Sequence, residues 1–239
     1  MIIDVHAHWG PWFFTGLTTP NLVVMDRYGI DLAIVSGTEA VTYDPVTGNR
    51  ALAEAIADEP RLLGYVTVHP RRLAEAERDL RALLPTGRFV GAKVHTEYTG
   101  SPITSPQMLD ALTMLAELDC PVLVHTWDAS VLDLAQRCAD IPALRAIAGH
   151  MGAGGHRYAI EAARGCDRLY LEPSWSHGVA GRVDEVFAEV DHRQLLFGTD
   201  ATLIDPASAF GAIAAAKPGP ALAERLAWRN AAELFRLPL

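Results

Sequence analysis

The sequence predicts a single-domain α/β protein, a (β/α)8 barrel of the TIM type. Its 239 residues suffice for one large core. Short β-branched or apolar runs alternate with amphipathic helical patterns along the whole chain. Eight such units give roughly 30 residues each, the size of one βα repeat. We therefore expect one domain over residues 1–239, with no long linker and no second domain.

Each expected strand is a short run rich in Val, Ile and Leu. The strands are residues 2–8, 31–36, 62–68, 89–95, 121–126, 144–149, 168–173 and 194–199. Because helical patterns separate them, they should run parallel in one sheet. The alternative is an open doubly wound sheet. No GxGxxG follows the first strand, and polar residues end many strands rather than gathering at one switch point, which favours the barrel.

The expected helices carry apolar residues at helical spacing between these strands. They are residues 50–58, 71–83, 106–118, 129–138, 156–165, 181–190, 206–215 and 220–235. Pro106 and Pro206 stand where a helix should begin, since the fixed φ angle and missing N–H of proline suit that position.

Composition and charge exclude several functional classes. The net charge is -9, from 29 acidic and 20 basic residues, and no Lys/Arg-rich stripe is present, so we expect no nucleic-acid partner. No segment approaches the ~20 apolar residues of a membrane span, so we expect no membrane partner. Cys120, Cys138 and Cys166 lie far apart without a CxxC pair, which indicates reduced thiols and a cytoplasmic protein.

The histidines are concentrated at predicted strand ends. Of the nine in the chain, five end or directly follow a strand: His8, His69, His95, His125 and His150. The carboxyl ends of barrel strands converge on one face, which carries the active site in this architecture. The distribution therefore predicts a histidine-lined site at that face.

The first strand contains the strongest local signal, Asp4-Val5-His6-Ala7-His8. Strand side chains alternate, so His6 and His8 should point the same way and could share one metal ion, at ~2.0–2.1 Å for zinc. The alternative is two buried histidines satisfied by hydrogen bonds alone. Burying both beside further polar residues would be costly without a common purpose, so we favour the metal site.

Three more polar residues end apolar runs in the same way: His125, His150 and Asp200. Asp200 could instead cap the next helix, because Asp is a good N-cap. Asp205, directly before Pro206, is the better candidate for that cap. A role for Asp200 as metal ligand or base is therefore the preferred interpretation.

In their order along the chain, these landmarks resemble the amidohydrolase superfamily. The features are the HxH of the first strand, the single histidines that end the fifth and sixth, and Gly198-Thr199-Asp200. Residues 149–152 (GHMG) and 230–235 (NAAELF) resemble the amidohydrolase-related branch, amidohydrolase 2. That branch contains metal-dependent hydrolases and small decarboxylases.

The resemblance implies a ligand set and catalytic roles. His6, His8, His125 and Asp200 would hold one divalent ion, with a position left for water or substrate. Zinc suits these ligands best, although manganese, iron or cobalt can occupy such sites. Asp200 would accept a proton from the metal-activated water, and His150 would be a looser ligand or donate a hydrogen bond to the substrate.

Lys93 and His95 share strand parity and should both face the site. In two-metal members of the superfamily a lysine on the fourth strand is carbamylated and bridges the ions. Because one ion is favoured here, we expect Lys93 to contact substrate instead. The full set of expected substrate contacts is Trp9, Lys93, His95, Glu172 and Trp175, with His177 as a weaker candidate.

Three functions fit the predicted site. The leading one is hydrolysis of a C–N or C–O bond (amide, cyclic amide, lactone or ester) in a small, carboxylated substrate, since the loops are short. The second is non-oxidative decarboxylation of an aromatic or unsaturated acid with the same ligands. The third is a non-catalytic metal- or ligand-binding barrel, disfavoured because three His and one Asp leave the open coordination of catalytic sites. A homodimer is left open.

Overall fold

A computed structural model describes residues 1–14, 20–175 and 178–238, so the candidate His177 lies outside the described residues. Seven strands form one curled sheet in chain order, and every neighbouring pair is parallel. They are β1 (Ile3–Trp9), β2 (Leu32–Gly37), β3 (Leu62–Thr67), β4 (Phe89–Val94), β5 (Val122–His125), β6 (Ala146–Gly149) and β7 (Leu169–Leu171). The predicted parallel α/β architecture is confirmed.

The predicted eighth strand, residues 194–199, does not form a regular strand in the structure. Its backbone nevertheless pairs with both edges of the sheet. Leu195 forms a parallel bridge with Leu171 of β7, and Ala201 forms one with Ala7 of β1. The N–H of Val5 donates to the carbonyl of Phe197 at 2.9 Å. The segment therefore runs between the first and last strands.

Helices connect the strands. They are α1 (Asn21–Tyr28), α2 (Thr38–Thr42), α3 (Pro45–Ile56), α4 (Leu73–Leu83), α5 (Thr96–Thr99), α6 (Pro106–Glu117), α7 (Ser130–Asp140), α8 (His156–Gly165), α9 (Arg182–Glu189), α10 (Ala207–Ala216), α11 (Pro220–Glu224) and α12 (Asn230–Phe235). The last two are joined by a π-helical turn, Arg225–Arg229. None of the described helices is long and apolar enough to cross a membrane.

Most predicted helices form close to their expected bounds, and one begins earlier for a clear reason. Helix α3 starts at Pro45 rather than near residue 50 because Asp44 caps it. The Asp44 carboxylate accepts the N–H of Thr47 at 3.0 Å. Proline at the first helical position adds to this start signal. The short helices α1, α2 and α5 were not predicted.

The buried apolar residues form two clusters on opposite faces of the sheet. The inner cluster comes from alternate strand positions, from the segment 194–199 and from α12: Ile3, Val5, Ile34, Leu63, Tyr65, Leu123, Ile147, Leu196, Ala231, Leu234 and Phe235. The larger outer cluster packs between the strands and the surrounding helices. The Tyr65 hydroxyl donates to the carbonyl of Val5 at 2.8 Å, so this polar group is satisfied inside the inner cluster. The carboxyl ends of the strands lie beyond this apolar layer.

Candidate metal centre

A layer of buried polar side chains lies at the carboxyl ends of the strands. His6 and His8 come from β1, Lys93 from β4, Glu172 directly follows β7, and Asp200 belongs to the irregular eighth segment. None is more than 5% exposed, and Lys93 and Glu172 are fully buried. Burying so many polar groups is favourable only if they satisfy one another or share a ligand.

Three of the four expected metal ligands lie together. The nearest ligand atoms of His6, His8 and Asp200 are all within 4.8 Å of one another. Asp200 Oδ1 is 2.9 Å from His8 Nε2 and 3.5 Å from His6 Nε2. Two imidazole nitrogens and a carboxylate oxygen are a suitable donor set for a divalent transition ion.

A register shift in β1 accompanies this arrangement. Val5 belongs to the inner apolar cluster and Ala7 to the outer one, whereas regular alternation would place both on the same face. The pairing with β2 is irregular between Asp4 and Ala7. His6 nevertheless turns to the same centre as His8, as predicted from their spacing.

Glu172 fixes the orientation of the His6 ring. Its Oε1 lies 2.8 Å from His6 Nδ1. Glu172 also accepts the N–H of His150 at 2.6 Å and that of Ser174 at 2.8 Å, so we assign the ring proton to His6 Nδ1. This leaves a lone pair on His6 Nε2, to which Lys93 Nζ donates at 3.0 Å. A carboxylate behind a histidine is the usual support for a metal-binding imidazole.

His8 is held by groups that the sequence analysis did not identify. Ser36 Oγ lies 3.0 Å from His8 Nδ1, and the side-chain amide of Asn21 donates to the His8 carbonyl at 2.9 Å. The Trp12 ring meets the His8 ring edge-on, with centroids 4.8 Å apart. Ser36 lies near the end of the apolar strand β2. The pattern that predicted the histidines, a polar residue at the end of an apolar run, could therefore also have predicted Ser36.

His150 and His125 extend the cluster sideways. His150 Nδ1 donates to the carbonyl of Ser174 at 2.7 Å, and His150 Nε2 is 3.1 Å from His125 Nδ1. His125 Nε2 lies 3.1 Å from Glu97 Oε2. The ligand atoms of His125 therefore group with those of Glu97 and His95, not with the His6–His8–Asp200 group.

Two of the site residues have a left-handed backbone conformation. His150 has φ 68° and Asp200 has φ 63°, a conformation that non-glycine residues adopt at a cost of about 1–2 kcal/mol. Each lies just beyond an apolar strand segment. Local strain at both positions is consistent with a site whose geometry is imposed by the surrounding fold.

Burial keeps four of these histidines uncharged: His6, His8, His95 and His125. It lowers the pKa of His6 well below the usual value, and it lowers the pKa values of His8 and His125 as well. For His95 burial lowers the pKa to about 2. Neutral imidazoles are the form that binds metal ions.

Burial affects two of the charged groups beside the first-strand histidines, Asp200 and Lys93, in different ways. Burial alone would raise the pKa of Asp200, but the hydrogen bond with His8, together with nearby groups that include Lys93, outweighs it and lowers that pKa. Asp200 is therefore ionised at neutral pH. Burial lowers the pKa of Lys93 to about 8, against the attraction of Asp200 and Glu172.

The remaining predicted substrate contacts, His95, Trp175, Trp9 and Glu172, differ in their positions. His95 stacks on His125 with centroids 4.1 Å apart, and Trp175 meets Trp127 edge-on at 5.4 Å. Trp9 instead packs against the outer apolar cluster, because it alternates with the inward His8. Glu172, expected to contact substrate, is fully buried and bonded to protein groups. The structure thus brings His95 and Trp175 toward the histidine cluster, and Trp9 away from it.

Comparison with known proteins assigns the family. Residues 3–237 match the family model described as Amidohydrolase. The chain belongs to the amidohydrolase family. The resemblance inferred from the HxH strand and its companion motifs is thereby confirmed. Among curated proteins, none matches this amidohydrolase sequence.

Solved structures similar to this amidohydrolase include decarboxylases and hydrolases. A dihydroxybenzoic acid decarboxylase from Polaromonas, with bound manganese and 2-nitroresorcinol, has 19% identity and TM-score 0.78, covering 100% of this chain and 97% of its own. An amidohydrolase from Burkholderia multivorans has 14% identity and TM-score 0.79, covering 100% of both chains. A probable 2-pyrone-4,6-dicarboxylic acid hydrolase from Acinetobacter baumannii has 14% identity and TM-score 0.71, covering 99% of both. At these identities they establish the shared fold.

Proposed function

We propose that this amidohydrolase is a metal-dependent hydrolase that cleaves a C–N or C–O bond in a small molecule. The observation that carries the proposal is the position of Asp200. Its ionised, buried carboxylate contacts the nitrogens of both first-strand histidines, at 2.9 and 3.5 Å. A base is therefore held at the same point as the candidate metal ligands.

His6, His8 and Asp200 would hold one divalent ion, and their donor atoms fit zinc, manganese, iron or cobalt. The manganese in the Polaromonas relative supports this assignment. When bound, such an ion supplies Lewis acidity and lowers the pKa of water to about 7. His125, expected as a fourth ligand, would reach it only by exchanging the contact of its Nδ1 with His150 for the ion.

The surrounding side chains supply the proton chemistry and the positioning. Asp200 accepts the proton of the attacking water and returns it to the leaving group. Glu172 keeps the His6 ring oriented through Nδ1. His150 has its Nδ1 proton committed to Ser174, so it donates to a substrate oxygen only when both ring nitrogens carry protons. If His6 Nε2 holds the ion, Lys93 Nζ, which donates to that nitrogen in the structure, would be left to contact substrate.

We further propose that residues 195–201 act as the eighth strand of the barrel. The segment has backbone contacts with both β7 and β1, at Leu171 and Ala7. Asp200 N–H also donates to the His6 carbonyl at 2.7 Å, which ties the base to the ligand strand. Closure of this kind would explain why residues almost 200 positions apart share one centre.

Non-oxidative decarboxylation of an aromatic acid is the second candidate. It is favoured by the aromatic rings beside the centre: Trp127 stacks on His125 at 5.6 Å, and Trp127 is 41% exposed. It is also supported by the decarboxylases among the similar structures. In this reaction the ionised Asp200 would first accept a proton from a phenolic hydroxyl of the substrate or from water, and would then deliver it to the ring carbon that loses carbon dioxide.

A substrate panel in isotopically labelled water separates the two reactions. Metal-replete protein is incubated with small esters, lactones and amides in ¹⁸O-water, and with phenolic acids under carbon dioxide detection. We expect ¹⁸O in a hydrolytic product and a 10²–10⁴-fold loss of rate in Asp200→Asn. The control is Asp167→Asn, at an exposed carboxylate, which should leave the rate unchanged. Carbon dioxide release without hydrolysis would establish the second candidate, and turnover that survives Asp200→Asn would contradict both.

A further inference from the structure

We propose that the hydroxyl of Thr67 and the ammonium of Lys93 bind a carboxylate of the substrate beside the metal centre. Thr67 is the last residue of β3, and a role for it was not predicted from the sequence. The inference rests on the proposed function, because it concerns the substrate of the same site. It names the chemical class of that substrate, a small carboxylate, and the two residues that would bind it. We call Thr67 and Lys93 the carboxylate subsite.

The side chain of Thr67 points to the inside of the curled sheet. Val66 and Val68, on either side of it, belong to the outer apolar cluster. Leu63 and Tyr65, at the alternate positions before it, belong to the inner cluster. Because side chains alternate along a strand, Thr67 continues the inward series at the carboxyl end of β3. Its hydroxyl therefore faces the polar layer that contains the metal centre.

Lys93 lies beside Thr67 on the neighbouring strand. The two residues are register partners in the parallel pairing of β3 with β4. Ala92 and Val94 belong to the outer apolar cluster, so Lys93 points inward like Thr67. The inward-pointing hydroxyl and ammonium therefore belong to adjacent positions on one face of the sheet. Both are groups that can donate a hydrogen bond to the same ligand oxygen.

The Thr67 hydroxyl is buried without a hydrogen bond. The residue is 4% exposed, and in the part of the chain that the structure describes its Oγ1 has no hydrogen-bond partner. The backbone of Thr67 is satisfied: its N–H donates to Asn49 Oδ1 at 2.9 Å, and its carbonyl accepts from Asn49 Nδ2 at 3.1 Å. A buried hydroxyl without a partner costs stability. Because this one faces the metal centre, we assign the missing partner to the substrate.

The present partner of Lys93 explains why the subsite should take an anion. Lys93 Nζ donates to His6 Nε2 at 3.0 Å, and this nitrogen belongs to the proposed ion ligands. If the lone pair of His6 is committed to a cation, the fully buried ammonium needs another acceptor and a counter-charge. The neutral Thr67 hydroxyl supplies no charge. A carboxylate would offset the charge of Lys93 and accept the Thr67 hydroxyl proton, whereas an amine would be repelled.

Calorimetric titration of benzoate, a small carboxylate, into the zinc-replete full chain tests the subsite. In Thr67→Val, which replaces the hydroxyl by a methyl group, we expect the Kd for benzoate to rise about 10–100-fold, the effect of one hydrogen bond to a charged group. Thr67→Ser keeps the hydroxyl and should keep most of the affinity. The matched control is Thr113→Val, on the outer helix α6, which should leave the Kd unchanged.

Thermal unfolding of the metal-free protein distinguishes ligand binding from a structural role of the hydroxyl. Because the Thr67 hydroxyl has no partner among the described residues, its removal should not destabilise the free chain. Metal-free Thr67→Val should therefore unfold at the same temperature as the wild type or at a higher one. A lower unfolding temperature together with an unchanged Kd for benzoate would show that the hydroxyl supports only the fold, and would overturn the proposal.

The zinc content of the same samples separates this inference from the proposed function. An unchanged Kd for benzoate in Thr67→Val with full zinc content would overturn the subsite and leave the proposed function intact. A raised Kd with full zinc content would support the subsite. If that raised Kd occurs in a chain whose turnover survives Asp200→Asn, the subsite would stand and the proposed function would be contradicted. A wild-type chain that binds no zinc, manganese, iron or cobalt would contradict both.

Discussion

Glu172→Gln should weaken metal binding even though Glu172 touches no metal in the proposed arrangement. Glu172 lies behind His6 and holds its Nδ1 at 2.8 Å, so that Nε2 faces the proposed ion. Glutamine has nearly the same size and shape, so the substitution changes hydrogen bonding and charge without opening a cavity. The expected effect is therefore on the orientation and basicity of His6.

The magnitude follows from the hydrogen bonds of the carboxylate. Oε1 receives the N–H of His150, the hydroxyl of Ser174 and His6 Nδ1, whereas Oε2 receives the N–H of Ser174. The less costly amide orientation keeps oxygen at the first position and leaves the Ser174 N–H unpaired, at about 1–3 kcal/mol of stability. Loss of the supporting charge should weaken ion binding 10–100-fold, or about 1.4–2.8 kcal/mol.

Competition with a chromophoric chelator measures the ion Kd, and thermal unfolding of the metal-free protein measures the stability change. Glu161→Gln, at an exposed position of α8, is the control and should alter neither. An unchanged Kd in Glu172→Gln, together with lower stability, would show that Glu172 supports only the fold. The role assigned to it as a positioning residue would then be wrong.

Three further predictions concern the fold. Asp44→Ala should lower the free energy of unfolding by about 1 kcal/mol through loss of the α3 cap. Hydrogen bonds from Arg72 and Thr47 lower the pKa of Asp44 from 3.8 to about 2. In urea unfolding the stability difference should therefore have its full size above pH 3.8 and disappear as the pH falls through about 2. Leu123→Ala, in the inner cluster, should cost about 2–5 kcal/mol and lower the urea midpoint; a loss below 1 kcal/mol would contradict the packing described. Burial raises the pKa of Cys120 to about 12, so its thiol should resist alkylation in the folded chain and react on unfolding, and rapid labelling of the native protein would contradict its burial.

Long-range organisation was predictable because it depends on repeated patterns. Alternating apolar runs and helical periods predicted the parallel sheet, and the spacing of His6 and His8 predicted their common direction. The position of Asp200 beside them followed from the convergence of strand ends. These features need only the sequence period and the topology.

The supporting contacts were not predictable, because they depend on tertiary positions that no local pattern encodes. Ser36 reaches His8 from 28 residues away, and Ser174 reaches His150 from 24 residues away. The irregular backbone around Asp200, with its left-handed φ angle, was also not predicted, because the alternation pattern assumes regular strands. The two ring nitrogens of His125 contact Glu97 and His150, which lie on either side of the ring. The spacing of these residues along the chain does not reveal such contacts.

The most direct test of the account is the position of an anomalous scatterer in crystals of metal-replete protein. We expect an ion ~2.0–2.2 Å from His6 Nε2, His8 Nε2 and Asp200 Oδ1. A saturated, active crystal with no anomalous peak in contact with these three atoms would contradict it.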